Sequence, residues 1–308
     1  MTSDASSPPG GPAAIDAVPL RHPWRWVAAI VIVVVVGLFL YGAATNPAYG
    51  WKTYLQYLFN DRIMLGVSNT LQLTIYSMVL AIVLGVLLSI MRLSPNPVFR
   101  SVSWVYLWIF RGTPVYVQLV FWGLIPVIYQ KIQIGVPFGP TFFQLDVQSL
   151  SIPFLLATLG LALNESAYMA EIIRAGITSV PEGQSEASTA LGMSWVMTMR
   201  RTVLPQAMRV IIPPTGNEVI SMLKTTSLVT AVPYSYDLYS IASREIAART
   251  FEPVPMLLVA ATWYLLVTSV LMVGQFYLER YFSRGASRKL TTKQLEALAK
   301  AQLGTGAA

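Results

Sequence analysis

The chain has 308 residues, of which 55% are hydrophobic and only 11% are charged, and its mean hydropathy is +0.57. A soluble protein of this size needs more polar surface, so the composition excludes a soluble globular domain and predicts a chain that lies in a bilayer. Because the chain has no cysteine and a single histidine, His22, neither disulfides nor a Cys/His metal centre can organise the fold.

Six apolar runs predict membrane-spanning helices. Five of them carry no charged residue and are close to, or longer than, the roughly 20 residues that a helix needs to cross the hydrocarbon. These five cover residues 26–51, 63–91, 112–130, 147–164 and 253–278. The sixth, 210–232, is interrupted by Glu218 and Lys224. The sequence therefore predicts an all-α polytopic membrane protein with about six transmembrane helices.

The net charge of +7 follows the membrane and does not indicate nucleic acid as a partner. If the first span starts in the cytoplasm, fourteen of the 21 Lys and Arg residues fall in cytoplasmic segments and five in outer segments, while Arg111 and Lys224 lie at or within spans. Basic residues accumulate on the cytoplasmic side of membrane proteins. We therefore predict that both termini are cytoplasmic.

The composition divides the chain into four parts. Residues 1–20 are rich in Ser, Pro, Gly and Ala and predict a disordered cytoplasmic tail. Residues 21–61 hold an additional N-terminal span and an outer loop, since the apolar run is longer than the core of a cleaved signal. Residues 62–282 form the transmembrane core, and residues 283–308 form a basic cytoplasmic tail.

An aromatic stretch precedes the third span. Its density of Trp, Tyr and Phe suits the headgroup level, so residues 98–110 either lie along the membrane interface or cross the membrane, and the sequence leaves both positions open. The helix then restarts at Arg111-Gly-Thr-Pro114, where Thr113 can cap it and Pro114 fits the first helical position.

Residues 182–209 form a polar, amphipathic loop between two hydrophobic runs. Ser185 is expected to cap its helix, and the acidic Glu186 follows in the first turn. Gly192 comes one turn after Ser188, where a missing side chain lets a partner's backbone approach or lets the helix end. An ordinary solvated helix would explain the amphipathic pattern but not its spacing to Leu204-Pro205.

The order Glu186-Ala187-Ser188, Gly192 and Leu204-Pro205 resembles the cytoplasmic coupling loop of ABC importer permeases. That pattern has Glu-Ala-Ala, three residues, Gly, nine residues, an aliphatic residue, one residue and Leu-Pro. Ser188 replaces the second Ala, and Thr202 replaces the aliphatic residue. More narrowly, the chain resembles permeases of the polar amino acid uptake branch, of the histidine, glutamine or arginine type. The matching segments are 66–74, 110–118, 166–174, 204–209 and 214–228.

The resemblance implies a type I ABC importer permease in the bacterial cytoplasmic (inner) membrane, with a substrate path that works by alternating access. It implies as partners a cytoplasmic ABC ATPase dimer, a second permease subunit, identical or different, and an extracytoplasmic amino acid-binding protein. The residues that it assigns to ATPase coupling are Glu186, Ala187, Ser188, Gly192, Leu204 and Pro205.

The energy source is expected to lie outside this chain. No lysine follows a glycine, so the phosphate-binding pattern G-x-x-x-x-G-K-[ST] is absent. We expect the chain to be no enzyme by itself and to hold no cofactor, with ATP and Mg bound by the partner ATPase.

Ionisable residues at membrane depth are costly and therefore predict function. Glu171 precedes Arg174 by three residues, which favours a helix-terminal ion pair. Glu165 either lines the substrate path or makes a buried structural hydrogen bond. In the fifth span Asn217, Ser221 and Lys224 form a polar stripe, and Glu218 points about 120° from Lys224. This set, predicted to line the path or to hold two permease subunits together, consists of Glu165, Asn217, Glu218, Ser221 and Lys224.

Arg111 has two possible roles, as a clamp on a substrate carboxylate or as a snorkelling anchor at the interface. Two other function classes compete with an ABC permease. An ion-coupled secondary transporter or channel has no need of an ATPase or of loop 182–209. A membrane-embedded hydrolase needs a paired nucleophile and base, and the predicted spans contain no His or Cys.

Overall fold

The computed structural model describes residues 23–136, 139–147 and 152–282. The two tails predicted at 1–20 and 283–308 lie outside these ranges. The chain divides after Tyr49 into two compact units.

The N-terminal unit contains one long helix, α1 (Pro23–Thr45), followed by a short 3-10 turn at Pro47–Tyr49. The helix has a hydropathy of 2.8 and buries none of its residues. A helix of this length that is apolar on all faces is suited to a lipid environment.

The second unit is almost entirely helical. Its main-chain elements in order are α2 (Trp51–Tyr57), α3 (Asp61–Leu93), α4 (Pro97–Gly112), α5 (Val115–Ile128), β1 (Lys131–Gly135), β2 (Thr141–Asp146), α6 (Pro153–Thr178), α7 (Glu182–Ala190), α8 (Trp195–Thr198), α9 (Leu204–Thr225), α10 (Leu238–Ser240), α11 (Ala247–Thr250) and α12 (Pro253–Phe282). A π-helical turn at Met199–Val203 joins α8 to α9, and another at Ile241–Ile246 joins α10 to α11.

Each predicted span corresponds to a helix. Among the described residues, α1, α3 and α12 are long and apolar enough to cross a membrane, and α5 is a shorter apolar helix. The helices α6 and α9 have 26 and 22 residues and carry the charged residues that the sequence singled out. The helix α9 is continuous through Pro213 and Pro214.

The stretch 98–110, for which the sequence leaves an interfacial and a membrane-spanning position open, forms most of α4 and packs against two other helices. The Ser103 hydroxyl donates to the carbonyl of Leu88 over 2.9 Å, and the Tyr106 hydroxyl donates to the carbonyl of Leu163 over 2.9 Å. These bonds hold α4 against α3 and the middle of α6. Its aromatic residues therefore belong partly to the helix bundle, a placement that headgroup preference alone does not predict.

The main core lies where α3, α5, α6 and α9 meet. Buried side chains from all four helices form it, among them Leu73, Leu119, Leu161, Met169 and Met222. A second core joins the start of α3 to the segment 238–247 and to α12, with Ile63, Leu238, Ile241 and Met256 at its centre.

The segment between α9 and α12 is fixed at the opposite end of α3 from Leu93. Asp237 is fully buried and accepts a hydrogen bond from the Ser240 amide over 3.0 Å, so it caps α10. Arg62, at the start of α3, donates to Glu245 over 3.0 Å. The Arg62 guanidinium lowers the pKa of the Glu245 carboxyl from its usual range.

The loop after α5 contains a small antiparallel hairpin that the sequence did not predict. Strands β1 and β2 pair from Lys131 with Asp146 to Gly135 with Thr141, and the register shifts between Ile134 and Gly135.

Candidate functional site

A cavity of about 510 Å³ opens between α4, α5, α6 and α9. This volume lies within the range of small-molecule sites, roughly 300–1,000 Å³. The charged residues among its lining are Arg111, Glu165 and Glu218. The other lining residues are Gly112, Thr113, Pro114, Val115, Leu161, Asn164, Tyr168, Ser221, Met222 and Thr225.

Two carboxylates form the acidic side of the cavity. Glu165, from the middle of α6, is only 8% exposed, and its Oε1 has no hydrogen-bond partner among the described residues. Glu218, from α9, is half-buried and lies close enough to interact electrostatically with Glu165. Two carboxylates brought together in a space of low polarity favour a cation between them.

Arg111 supplies the positive side of the cavity. Its guanidinium lies over the ring of Tyr168, 5.5 Å from the ring centre, and its Nη1 is 4.0 Å from Glu171 Oε1. Glu171 also pairs with Arg174 over 2.7 Å, which confirms the predicted helix-terminal ion pair. Because Arg111 lines the cavity, its guanidinium is within reach of a ligand there, while its side chain is also 45% exposed.

Two buried amides hold the Arg111 turn in place, and the sequence did not single them out. The Asn164 amide donates to the Phe110 carbonyl and to Gln118 Oε1, each over 3.0 Å. The Gln118 amide donates to the Thr113 hydroxyl over 2.7 Å. This network provides hydrogen-bond donors for carbonyl groups at the end of α4 and ties the turn to α6. The break between α4 and α5 is therefore held in one conformation.

The restart of the helix differs by one residue from the prediction. Thr113 is the C-cap of α4, and Pro114 is the N-cap of α5 instead of its first helical residue. Thr113 uses its hydroxyl to donate to the Ile109 carbonyl and to accept from Gln118.

Only part of the predicted path set lines the cavity. On α9 the lining residues Glu218, Ser221, Met222 and Thr225 are spaced as one helix face. Asn217 and Lys224 are not among the lining residues. Together with Ser221 they are exposed in the single chain.

Loop 182–209 begins with α7 and ends at the base of α9. The helix α7 starts at Glu182, after Pro181, so the predicted capping role of Ser185 is wrong and that residue lies inside the helix. A proline before the first helical residue already directs the chain into the helix, which makes a later serine cap unnecessary.

The end of α7 explains Gly192. Its amide donates to the Thr189 carbonyl over 2.9 Å, and the Met193 amide donates to the Ser188 carbonyl over 3.1 Å. This pair of bonds is the Schellman motif, which needs a left-handed residue after the helix. Gly192 has φ +75° and no atom of the chain within 4 Å of the place where a Cβ would stand.

Several large apolar side chains are exposed on loop 182–209, although the segment as a whole is polar. Leu191, Trp195 and Val196 are 82%, 71% and 65% exposed. Of the six predicted coupling residues, Glu186, Ala187, Gly192, Leu204 and Pro205 are exposed, whereas Ser188 is buried. The exposed apolar patch is typical of a protein contact.

The chain matches the family described as binding-protein-dependent transport system inner membrane component over residues 78–284. The chain belongs to this family. It is a multi-pass membrane permease subunit of an ABC importer.

Three curated relatives show how far the similarity extends. The Arginine transport system permease protein ArgU of Corynebacterium glutamicum is 60% identical over 305 residues, 97% of this chain and 94% of that protein. That alignment necessarily includes α1. The Histidine/lysine/arginine/ornithine transport system permease protein HisM of Escherichia coli is 39% identical over 210 residues, 67% of this chain and 83% of that protein. The Nopaline transport system permease protein NocM of Agrobacterium fabrum is 36% identical over 212 residues, 68% and 83% of the two chains.

Solved structures agree with the fold. An amino acid ABC transporter crystallised with histidines has a chain 31% identical in sequence, with a TM-score of 0.59, covering 71% of this chain and 94% of that chain. An inward-facing structure of the MetNI methionine ABC transporter has a TM-score of 0.57 at 19% identity, covering 72% and 97%, and supports the fold alone.

Proposed function

We propose that this permease subunit imports a basic amino acid, arginine in the first place, and that the cavity between Arg111, Glu165 and Glu218 is a stage of its path. The observation that carries the proposal is the charge of the cavity. A basic amino acid presents two cations and one carboxylate, whereas the cavity presents two carboxylates and one guanidinium. The 60% identity to an arginine permease supports the same substrate class.

The roles follow from the positions. The Arg111 guanidinium receives the substrate carboxylate, because Arg binds carboxylates through two parallel hydrogen bonds. Glu165 and Glu218 receive the α-ammonium and the cationic side chain, and Ser221 adds a hydroxyl from α9. Tyr168 and Glu171 contact the guanidinium, Tyr168 through its ring and Glu171 through its carboxylate.

The test compares the affinities of the complex for arginine and for its uncharged isostere citrulline, measured by equilibrium dialysis. The assembled complex is used without the binding protein, so that only the membrane site is measured. Wild type should bind arginine more tightly. Glu165→Gln and Glu218→Gln should each weaken arginine binding about 10- to 100-fold, the range for a lost hydrogen bond to a charged group. Loss of the glutamate that receives the side-chain cation should leave citrulline binding nearly unchanged, whereas loss of the one that receives the α-ammonium should weaken the binding of both ligands. The exposed Glu252→Gln is the control. An unchanged ratio of the two affinities in both variants would contradict the proposal.

Asn217 and Lys224 are assigned to a contact with the second permease subunit. Both are exposed on a membrane-spanning helix, and a lysine at that depth needs a polar partner or water. Lys224→Met should therefore lower the assembled fraction in size-exclusion chromatography. Full assembly combined with lost uptake would return Lys224 to the path.

The partners are a cytoplasmic ABC ATPase dimer, the second permease and an extracytoplasmic binding protein, with ATP and Mg held by the ATPase. The apolar surface of loop 182–209 supports the ATPase contact. ATP hydrolysis belongs to the partner, because this chain has no phosphate-binding loop of the G-x-x-x-x-G-K-[ST] type.

The proposed orientation has both termini in the cytoplasm. Since the chain has no native cysteine, Gly139→Cys and Gly183→Cys can be labelled singly by a membrane-impermeant reagent. Gly139→Cys should react from outside and Gly183→Cys from the cytoplasmic side. Reaction of both from one side contradicts the orientation.

A further inference from the structure

The helix α7 is bonded side by side to the start of α9. Gln206 Nε2 donates to Gln184 Oε1 over 3.4 Å, and the hydroxyls of Ser188 and Thr202 are 2.9 Å apart. Four residues separate the partners on each side, 184 from 188 and 202 from 206. The two contacts therefore lie one helical turn apart along an antiparallel pair.

The inner contact has a defined direction. The Ser188 hydroxyl donates its single proton to the Gln184 carbonyl over 2.8 Å. It can only accept from Thr202, so the chain of bonds runs from the Thr202 hydroxyl to Ser188 and on to Gln184. Ser188 is 5% exposed and Thr202 is half-buried, so water replaces this bond poorly.

The two partners are also the two positions at which the coupling pattern is broken. Ser188 stands where the pattern has Ala, and Thr202 where it has an aliphatic residue. Two apolar side chains would pack at this contact without a hydrogen bond. In this chain both members of the pair are polar, and replacing Ser188 alone leaves the Thr202 hydroxyl without its acceptor.

We propose that the Ser188–Thr202 hydroxyl pair is a positioning element that fixes α7 to the base of α9. Through it, a displacement of loop 182–209 moves the helix that carries Glu218 and Ser221. The transmission part rests on the proposed ATPase contact of this loop. The fixing of α7 to α9 stands independently of that contact.

The proton count makes the effects of single substitutions unequal. Ser188→Ala leaves the Thr202 proton without its acceptor at a half-buried position. Thr202→Val removes that proton, and Ser188 keeps its bond to the Gln184 carbonyl. The double variant Ser188→Ala/Thr202→Val replaces both partners by apolar groups of similar shape, a change that is often nearly neutral.

Two measurements test the proposal. The first is the mobility of a nitroxide on Gly183→Cys in the permease without ATPase, since a side chain at Gly183 meets no atom of the chain within 4 Å. The second is ATPase activity stimulated by substrate-loaded binding protein in the assembled complex. Ser269→Ala is the control, because its hydroxyl bonds only within α12 and is exposed.

Ser188→Ala should increase nitroxide mobility and lower stimulated ATPase activity about fivefold, the factor for one lost hydrogen bond. Thr202→Val should have a smaller effect, and the double variant should return towards wild type. Wild-type mobility in Ser188→Ala, or losses that add in the double variant, would overturn the pair. If nitroxide mobility follows the expected pattern but the stimulated ATPase activity does not change, the pair fixes α7 without transmitting its movement to α9. That result would point to an error in the proposed ATPase contact of loop 182–209.

Discussion

Substitutions at Gly192 separate two reasons for a glycine at this place in loop 182–209. One reason is the left-handed backbone, with φ +75°, which closes α7 in a Schellman motif. The other is the close approach of a partner protein. A side chain at position 192 would meet no other atom of the chain within 4 Å. The effect of a substitution therefore cannot come from a clash inside the permease.

The magnitude follows from the backbone. A residue with a Cβ in the left-handed region costs roughly 1–2 kcal/mol, whereas Asn tolerates this conformation better. If the ATPase binds only the loop conformation seen in the structure, Gly192→Ala weakens ATPase binding at most about 5- to 30-fold, since each 1.4 kcal/mol changes an equilibrium constant tenfold. The backbone reason therefore predicts that Gly192→Asn binds the ATPase more tightly than Gly192→Ala.

The close-approach reason predicts the opposite order, because the loss then grows with the size of the side chain. Gly192→Ala is then mildest, Gly192→Asn intermediate and Gly192→Trp most severe, with Trp abolishing transport while the subunit stays inserted in the membrane.

The assay is the affinity of the purified ATPase subunit for the permease in nanodiscs, measured together with uptake. Gly183→Ala is the matched control, because Gly183 lies inside α7, is equally open and has no positive φ. Helix propensity makes that change neutral or slightly stabilising, by about 0.5–1 kcal/mol. If Gly192→Ala and Gly192→Trp both bind the ATPase and transport as wild type does, Gly192 serves neither purpose.

Three further predictions concern stability and the site. A Cβ on Gly85 would stand 2.6 Å from the Cβ of a methionine on α6. In thermal unfolding, Gly85→Val should therefore destabilise the permease by about 1–3 kcal/mol. The control Gly274→Val, where a Cβ meets no atom within 4 Å, should not destabilise it. Asn164→Ala removes the donors to the Phe110 carbonyl and to Gln118 Oε1 and should lower the unfolding free energy by about 1–3 kcal/mol. Arginine binding measured by dialysis should be weaker, and unchanged binding would separate Asn164 from the site. The pKa of Glu245 is lowered by Arg62, so the pair stabilises at neutral pH and this contribution is lost as pH falls through the lowered pKa. Wild type should therefore exceed Glu245→Gln in melting temperature at pH 7, and the gap should close below about pH 4.3. A gap that stays constant with pH would exclude the pair as its cause.

The spans and loop 182–209 could be predicted from the sequence because their signals are local. Each apolar run overlaps a helix: the run 63–91 matches α3 (Asp61–Leu93) closely, whereas the run 147–164 ends 14 residues before α6 does at Thr178. Local signals failed where two of them competed. Ser185 has the chemistry of a cap, but Pro181 starts α7 earlier. Aromatic density in α4 could not predict that Tyr106 donates to the middle of α6, because that contact depends on how two helices pack.

The cavity could be predicted only in part, because it depends on which helix faces meet. Glu165 and Glu218 were singled out by the cost of charge at membrane depth, but their proximity depends on the packing of α6 against α9. On α9 the polar stripe selected Asn217 and Lys224, whereas the lining face follows Glu218 and includes the apolar Met222. A search for polar residues in a span cannot identify a cavity-lining helix face that is partly apolar.

The helix α9 links loop 182–209 to the cavity, and it is held at two heights. Gln206, near its base, is bonded to α7, and Gln275 of α12 donates to the Pro213 carbonyl over 3.0 Å. At 1.5 Å per residue, Gln206 lies about 10 Å below this second contact and Glu218 about 7.5 Å above it. If α9 is treated as a rigid rod that pivots at Pro213, a shift of 1 Å at the base moves Glu218 by about 0.7 Å in the opposite direction. Under that treatment, a movement of loop 182–209 would become an opposed movement of one of the two carboxylates and would change the distance across the acidic side of the cavity.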